Sequence, residues 1–191
     1  NTAIFPAVAK VNGVNLSKVT FINATWATLA TSFLKRKMDA ILLHFPDNVP
    51  KLRAKGAKVN FLPYSRLGAN TVGEGITATS SFLKEKGSLV RRLLRAVSQS
   101  FLYTQDHRDE AVAALKKSAP LTVKDTKVAR ETLDGYLTLL HTKATQGKPL
   151  GWMAKGDWEK TLQILSQYAG MKNPLAAERY YTNEFVPAAG M

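Results

Sequence analysis

Residues 64–81 of the chain read YSRLGANTVGEGITATSS, and two stretches of different character meet there. Gly68, Gly73 and Gly75 supply backbone freedom, and a short run of small and β-branched residues, 76–79, precedes a long basic helical pattern. Upstream, short apolar runs alternate with helical patterns. Downstream, almost every segment carries the helical period. The stretch therefore reads as a hinge, with a crossing at 71–80 between an α/β unit over 1–70 and a helical unit over 81–191.

In the upstream part, residues 3–14 place Phe5, Val8 and Val11 on one helical face and stop at Asn12-Gly13. VTFIN at 19–23 has the composition of a strand, and so do 39–43 and 59–63. Thr25 is placed to cap a helix over 26–37, where Trp26, Leu29, Ala30, Phe33 and Leu34 follow the 3.6-residue period. Pro46 breaks the pattern after the second strand run, and Asp47 or Asn48 opens a short helix that Gly56 ends. Helices and strands alternating in this order predict parallel pairing with right-handed crossovers, an α/β layer.

Beyond the hinge, Ser80 or Ser81 opens a helical region with a break expected at Gly87-Ser88. Ser88 would cap 89–103, whose buried stripe is Val90, Leu93, Leu94, Val97 and Phe101. An alanine-rich helix over 109–118 ends before Pro120, and 122–125 resembles a variant capping box for a helix reaching about His141. The last strong helical pattern, 157–169, carries Trp158, Leu162, Leu165 and Tyr168 on one face.

Charge narrows the partners. The 191 residues hold 27 Lys and Arg against 14 Asp and Glu, a formal net charge of +13 that favours an anionic partner. The tightest basic clusters are Lys35-Arg36-Lys37 and Arg91, Arg92 and Arg95, without the long basic runs of nucleic-acid arms. These read as solvated helix faces, and the expected partner is a small ligand, not nucleic acid. No apolar run approaches the ~20 residues that span a bilayer, so membrane contact is expected only through a partner protein. The chain has no cysteine, which excludes disulfides, thiolate metal sites and cysteine nucleophiles. It begins at Asn1 and shows no signal peptide, as expected of a processed or cut chain.

Catalytic constellations are poor. His44, His107 and His141 fall in separate elements without metal-ligand spacing, and Gly73-Glu74-Gly75 lacks the third glycine of a dinucleotide fingerprint. The expectation is a protein without catalytic residues, metal or cofactor. Ligand-binding candidates are instead the polar and aromatic residues at the ends of the strand runs, where open α/β sheets bind ligands. Asn1 and Thr2 at a helix start suit an anion, or serve as plain caps. Asn23 and Trp26 follow the first strand run, and Trp26 also begins an apolar stripe, so it reads as core before platform. His44, Phe45, Asp47 and Asn48 have the better claim, because a proline-broken loop after a strand has little structural need for that mixture. Tyr64 completes the set.

The stretches TAIFPAVAKVNGVNLSKVTFIN, KRKMDAIL, KLRAKGAKVNFLPYSRLG, GEGITATSSFLKEKGSLVRRLLRAVSQSF, QGKPLGWMAKGDWEKTLQILSQY and YYTNEFV follow one another over nearly the whole chain. Their order resembles the substrate-binding proteins of nitrate, sulfonate, taurine and thiamine-precursor ABC importers, a family that includes the fungal thiamine-pyrimidine synthases. The resemblance implies an α/β periplasmic-binding fold of type II, two lobes that close on ligand about a hinge. It also implies that the first part of lobe one is absent and that this chain is the later part of such a protein. Capture of a small anionic or heteroaromatic nutrient, delivery to an ABC permease without chemistry, and a periplasmic or lipid-anchored extracytoplasmic location follow from the same likeness. By position it places Asn1, Thr2, Asn23, Tyr64 and the 44–48 loop toward the cleft. The same fold serves the effector domains of transcription regulators. The synthase branch uses a cysteine-rich motif, from which this cysteine-free chain departs.

Overall fold

The computed structural model describes residues 2–188, and its regular structure is helical. Helix α1 (Phe5–Val11) carries proline in its first turn and ends at Asn12, whose N–H bonds Val8 O at 3.1 Å. Helix α2 (Trp26–Leu34) is capped by Thr25, whose hydroxyl accepts from the Thr28 N–H at 3.4 Å. Helix α3 (Phe45–Ala54) begins at the proline expected to break the chain. Pro46 lies in its first turn, where the N–H it lacks has no helical partner to lose, so it starts the helix.

Helix α4 (Ser80–Asp106) runs through the glycine expected to divide it, and the interruption falls at Lys86, with φ −122° and ψ 26°. Helices α5 (Arg108–Ser118) and α6 (Thr126–Leu137) follow. The α6 cap is Asp125, whose Oδ1 accepts from the N–H groups of Lys127 at 2.8 Å and Val128 at 3.1 Å. Helix α7 (Lys155–Tyr168) ends the series, and Gly170 turns the chain with φ +74°.

The expected α/β class is corrected. No strand or sheet forms among the described residues, so the described residues do not build the two-lobed α/β fold of the periplasmic-binding type. Residues 19–23, 39–43 and 59–63 carry no strand or helix and have no ladder partner. β-branched and aromatic composition stabilises a strand only where a neighbour pairs its backbone and a packed face buries its side chains. Here Phe21 is 46% exposed, Ile22 56% and Leu62 74%. Local propensity is present and the non-local half of a sheet is not.

Helices before residue 69 pack on helices after residue 79. α3 lies along α6, burying Pro46, Val49 and Leu52, and the close approach is at Gly135, where a Cβ would stand 3.0 Å from Pro46 Cα. α5 joins α6 through ion pairs, Arg108 Nε to Asp134 at 3.0 Å and Arg130 to Asp109. α1 packs on α7, where Ala7, Val8 and Ala69 are covered by Ile4, Tyr64, Leu67, Ile164 and Tyr168. The tail is tied back as well: the Asn183 amide exchanges two 2.9 Å bonds with the Met153 backbone, and Phe185 fits against Gly87 just past the α4 kink. Residues 69–79, free of regular structure, connect the 3₁₀ turn Tyr64–Leu67 to α4.

Candidate functional site

His44 is the residue that caps α3, with an extended backbone (ψ 108°), and its ring turns back onto the first helical turn. Its Nδ1 stands 3.1 Å from Asp47 Oδ2, the i, i+3 partner on the same helix. That carboxylate oxygen also accepts from the Tyr136 hydroxyl of α6 at 2.9 Å. On the other side of the ring, His44 Nε2 lies 3.7 Å from Glu74 Oε1 on the 69–79 connector. Three elements thus converge on one imidazole.

Aromatic rings border this polar group. Tyr136 leans on His44 with ring centroids 5.6 Å apart, and Phe45 stacks on Phe61 at 4.9 Å with 13° between the planes. Phe61 remains 40% exposed. Asn48 donates from Nδ2 to His44 O at 2.9 Å and fixes the start of the helix.

The electrostatics follow from the geometry. Burial alone would raise the Asp47 carboxyl, but the hydrogen bonds from His44 and Tyr136 and the Lys51 charge outweigh it and hold the group below its ordinary value. Burial, followed by the bond to an ionised Asp47 and the nearby Glu74 charge, pushes the Tyr136 phenol up to about 12. Two carboxylates, an imidazole and a neutral phenol make a site rich in acceptors.

Of the residues expected to bind ligand, the structure brings together His44, Phe45, Asp47 and Asn48. Asn23 is exposed on the unpaired 19–23 segment, and Trp26 is half-buried as the first residue of α2. Neither is joined to the His44 group by a hydrogen bond or ring contact among the described residues. Thr2 is exposed, two residues before the α1 cap, which is Ile4 and has no side-chain capping bond. Asn1 lies outside the described residues. Tyr64 belongs to the α1–α7 core, where its hydroxyl is buried without a partner among the described residues and burial raises its pKa. Of the hinge glycines, Gly68 is packed at φ +85° with Val11 against it, whereas Gly73 and Gly75 have open space around them.

Tyr136, Glu74 and Phe61 were not anticipated. No local pattern marks them: Tyr136 reads as one more position on an amphipathic helix, Glu74 as the middle of a glycine-rich turn, and Phe61 as part of a strand run. Among the described residues there is no group of three or more His, Cys, Asp or Glu arranged to hold a metal ion, and no helix long and apolar enough to cross a membrane.

Residues 1–111 match the family described as NMT1/THI5 like, more than half of the chain. The chain belongs to that family. This agrees with the resemblance carried by the order of its motifs. The riboflavin-binding protein RibY of Chloroflexus aurantiacus is 23% identical over 161 residues, which cover 84% of this chain and 46% of that protein. The chain thus spans about half the length of the curated relative it matches. The NMT1/THI5-like match takes in α1 to α4 and therefore His44, Asp47, Phe61 and Glu74, while Tyr136 lies beyond it.

Proposed function

We propose that the chain serves a solute-binding role and takes a planar heteroaromatic nutrient at the His44–Asp47–Tyr136 cluster, in preference to a small anion. The observation that carries this is the pair of carboxylates, Asp47 and Glu74, on either side of His44 in a chain of net charge +13. Net charge steers a ligand over long distances, whereas contact chemistry decides what stays. Carboxylates at contact distance repel nitrate or a sulfonate and accept the N–H groups of a heterocycle. The partly exposed Phe61 ring offers such a ligand an aromatic contact. The relative named for binding riboflavin, itself a fused heteroaromatic, supports the same class.

In this reading the ligand is passed unchanged to an ABC permease, outside the cytoplasm, in the periplasm or on a lipid anchor. Nucleic acid has no part in it. Thermal unfolding with riboflavin, aminopyrimidines, taurine and nitrate tests the ligand class. A ring compound at a hundred times its dissociation constant adds about 2.7 kcal/mol of stability, and Phe61→Ala removes most of that gain. A shift with taurine or nitrate alone would overturn the ring assignment, and no shift with any of the four would overturn capture by this chain.

A further inference from the structure

We propose that residues 180–186 form a strap, anchored at α7, that fixes the bend in α4 and thereby the direction in which the first turns of α4 leave the rest of that helix. The strap stands on its own geometry; its consequence for ligand rests on the site proposed above.

At the α7 end the strap is held by rings and by an amide. Tyr180 and Tyr181 both stack on Trp158, with centroids 5.9 and 5.8 Å away and planes within 17° and 7° of it. Asn183 holds the residue before α7's cap through its two bonds with Met153. Beyond that anchor the chain is shaped by its own turn. The Glu184 N–H donates to the Thr182 hydroxyl at 3.1 Å, and the Val186 N–H donates to Asn183 O at 3.1 Å. The turn presents Glu184 and the buried Phe185 to α4.

On α4 the two contacts fall one turn apart. A Cβ at Gly87 would lie 3.2 Å from Phe185 Cε1, so the ring takes the room that a side chain there would need. Arg91, four residues on, donates to Glu184 O and, at 2.8 Å, to Glu184 Oε1, and its guanidinium lies 4.7 Å over the Phe185 ring. The non-helical residue is Lys86, immediately before the clasped turn. Residues 80–86 are exposed apart from half-buried Leu83, so they have little packing of their own to set a direction. A Gly-Ser pair such as Gly87-Ser88 weakens a helix and permits a bend without choosing its angle. The ring held against Gly87 is the neighbour that chooses it. The 69–79 connector joins α4 at residue 80, so a change in the bend shifts the connector beside the ligand cluster.

Because the chain has no cysteine, Ser80→Cys with Gln99→Cys gives two labelling points on either side of the bend, both at exposed positions. Nitroxide labels there, read by double electron–electron resonance without ligand, should give one narrow distance distribution. Phe185→Ala should widen it and move its mean toward the span of an unbroken helix, about 28 Å along the axis for this spacing. Asn183→Ala, remote from the bend, should do the same to a smaller extent by freeing the strap at its α7 end. Far-ultraviolet dichroism checks that each variant keeps its helix content, and where Phe185→Ala does not, Asn183→Ala decides in the same sense. A broad distribution before any strap substitution, or one unchanged in folded Phe185→Ala, would assign the bend to Gly87-Ser88 alone and overturn the strap. A response to Phe185→Ala with none to Asn183→Ala would also overturn it, reducing the contact to a local packing pair. The measurement contains no ligand, so either result leaves the ring assignment to be judged by its own thermal shifts.

Discussion

The Tyr136 hydroxyl donates to Asp47 Oδ2 at 2.9 Å, joining α6 to the first turn of α3 across 89 residues of sequence. Burial and this bond carry the phenol from an ordinary 10.0 to about 12, so the folded state keeps a proton that the unfolded chain gives up first. The stability that results is fully present below about pH 10 and is lost as pH rises through about 12. Tyr136→Phe retains the ring and removes the bond. Urea unfolding should show a loss of about 0.5–1.5 kcal/mol at neutral pH, with a shallower decline on the alkaline side. An alkaline decline equal to that of the wild type would assign the limb to another phenol, with Tyr64 the first to examine.

Gly68 and Gly73 should respond oppositely to alanine. At Gly68, φ is +85° and an added Cβ would meet Val11 Cγ1 at 2.8 Å, so both the backbone and the space resist the change. Gly68→Ala should cost more than about 1 kcal/mol. Gly73 lies outside the left-handed region with open space around it, and Gly73→Ala should be neutral or stabilising by up to about 1 kcal/mol through the unfolded state. Melting temperatures of the two variants decide the matter, and equal losses would mean that Gly68 is not held in this conformation.

At Gly135, α6 closely approaches the first turn of α3. A Cβ there would meet backbone and ring, Pro46 Cα at 3.0 Å and Cβ at 3.2 Å, neither of which can swing aside. Gly135→Val should cost about 1–3 kcal/mol by forcing the helices apart, and it should carry the neighbouring Tyr136 away from Asp47. Tyrosine fluorescence or near-ultraviolet dichroism would register that displacement. A variant with wild-type stability and an unchanged tyrosine signal would show that the contact is looser than the geometry describes.

How much of this was legible in the sequence depends on the range of the interaction concerned. Helices were, because their signals are local: Thr25 caps α2, Gly56 and Gly170 stop α3 and α7, and the apolar period runs between them. The bounds err little, but the stripe expected to be buried on α4 is not: Val90 is buried and Leu93 is 51% exposed. The α6 cap is Asp125 where a box beginning at Thr122 was expected, and the α4 kink falls at Lys86, one residue before the glycine that suggested it. The strands failed because VTFIN and its counterparts carry propensity only, while a sheet needs a partner segment that no local pattern records.

The site divides in the same way. His44, Phe45, Asp47 and Asn48 sit within one turn of helix, so their joint polarity was visible as an unusual mixture. Tyr136 and Glu74 arrive by packing of distant elements, and nothing at their own positions announces it. Net charge is silent on the site: a sum over 191 residues says nothing of the carboxylates that gather around one imidazole.

The pairing of early helices with late ones also bears on how the chain is made. Ala7 and Val8 find their cover on α7, and Leu52 and Val49 on α3 wait for α6. During synthesis at roughly 5–20 residues per second, the surfaces of α1 and α3 stay uncovered for on the order of ten seconds, with the apolar 19–23 and 59–63 runs in plain reach. Whatever shields these surfaces in a newborn chain has to do so until α7 leaves the ribosome.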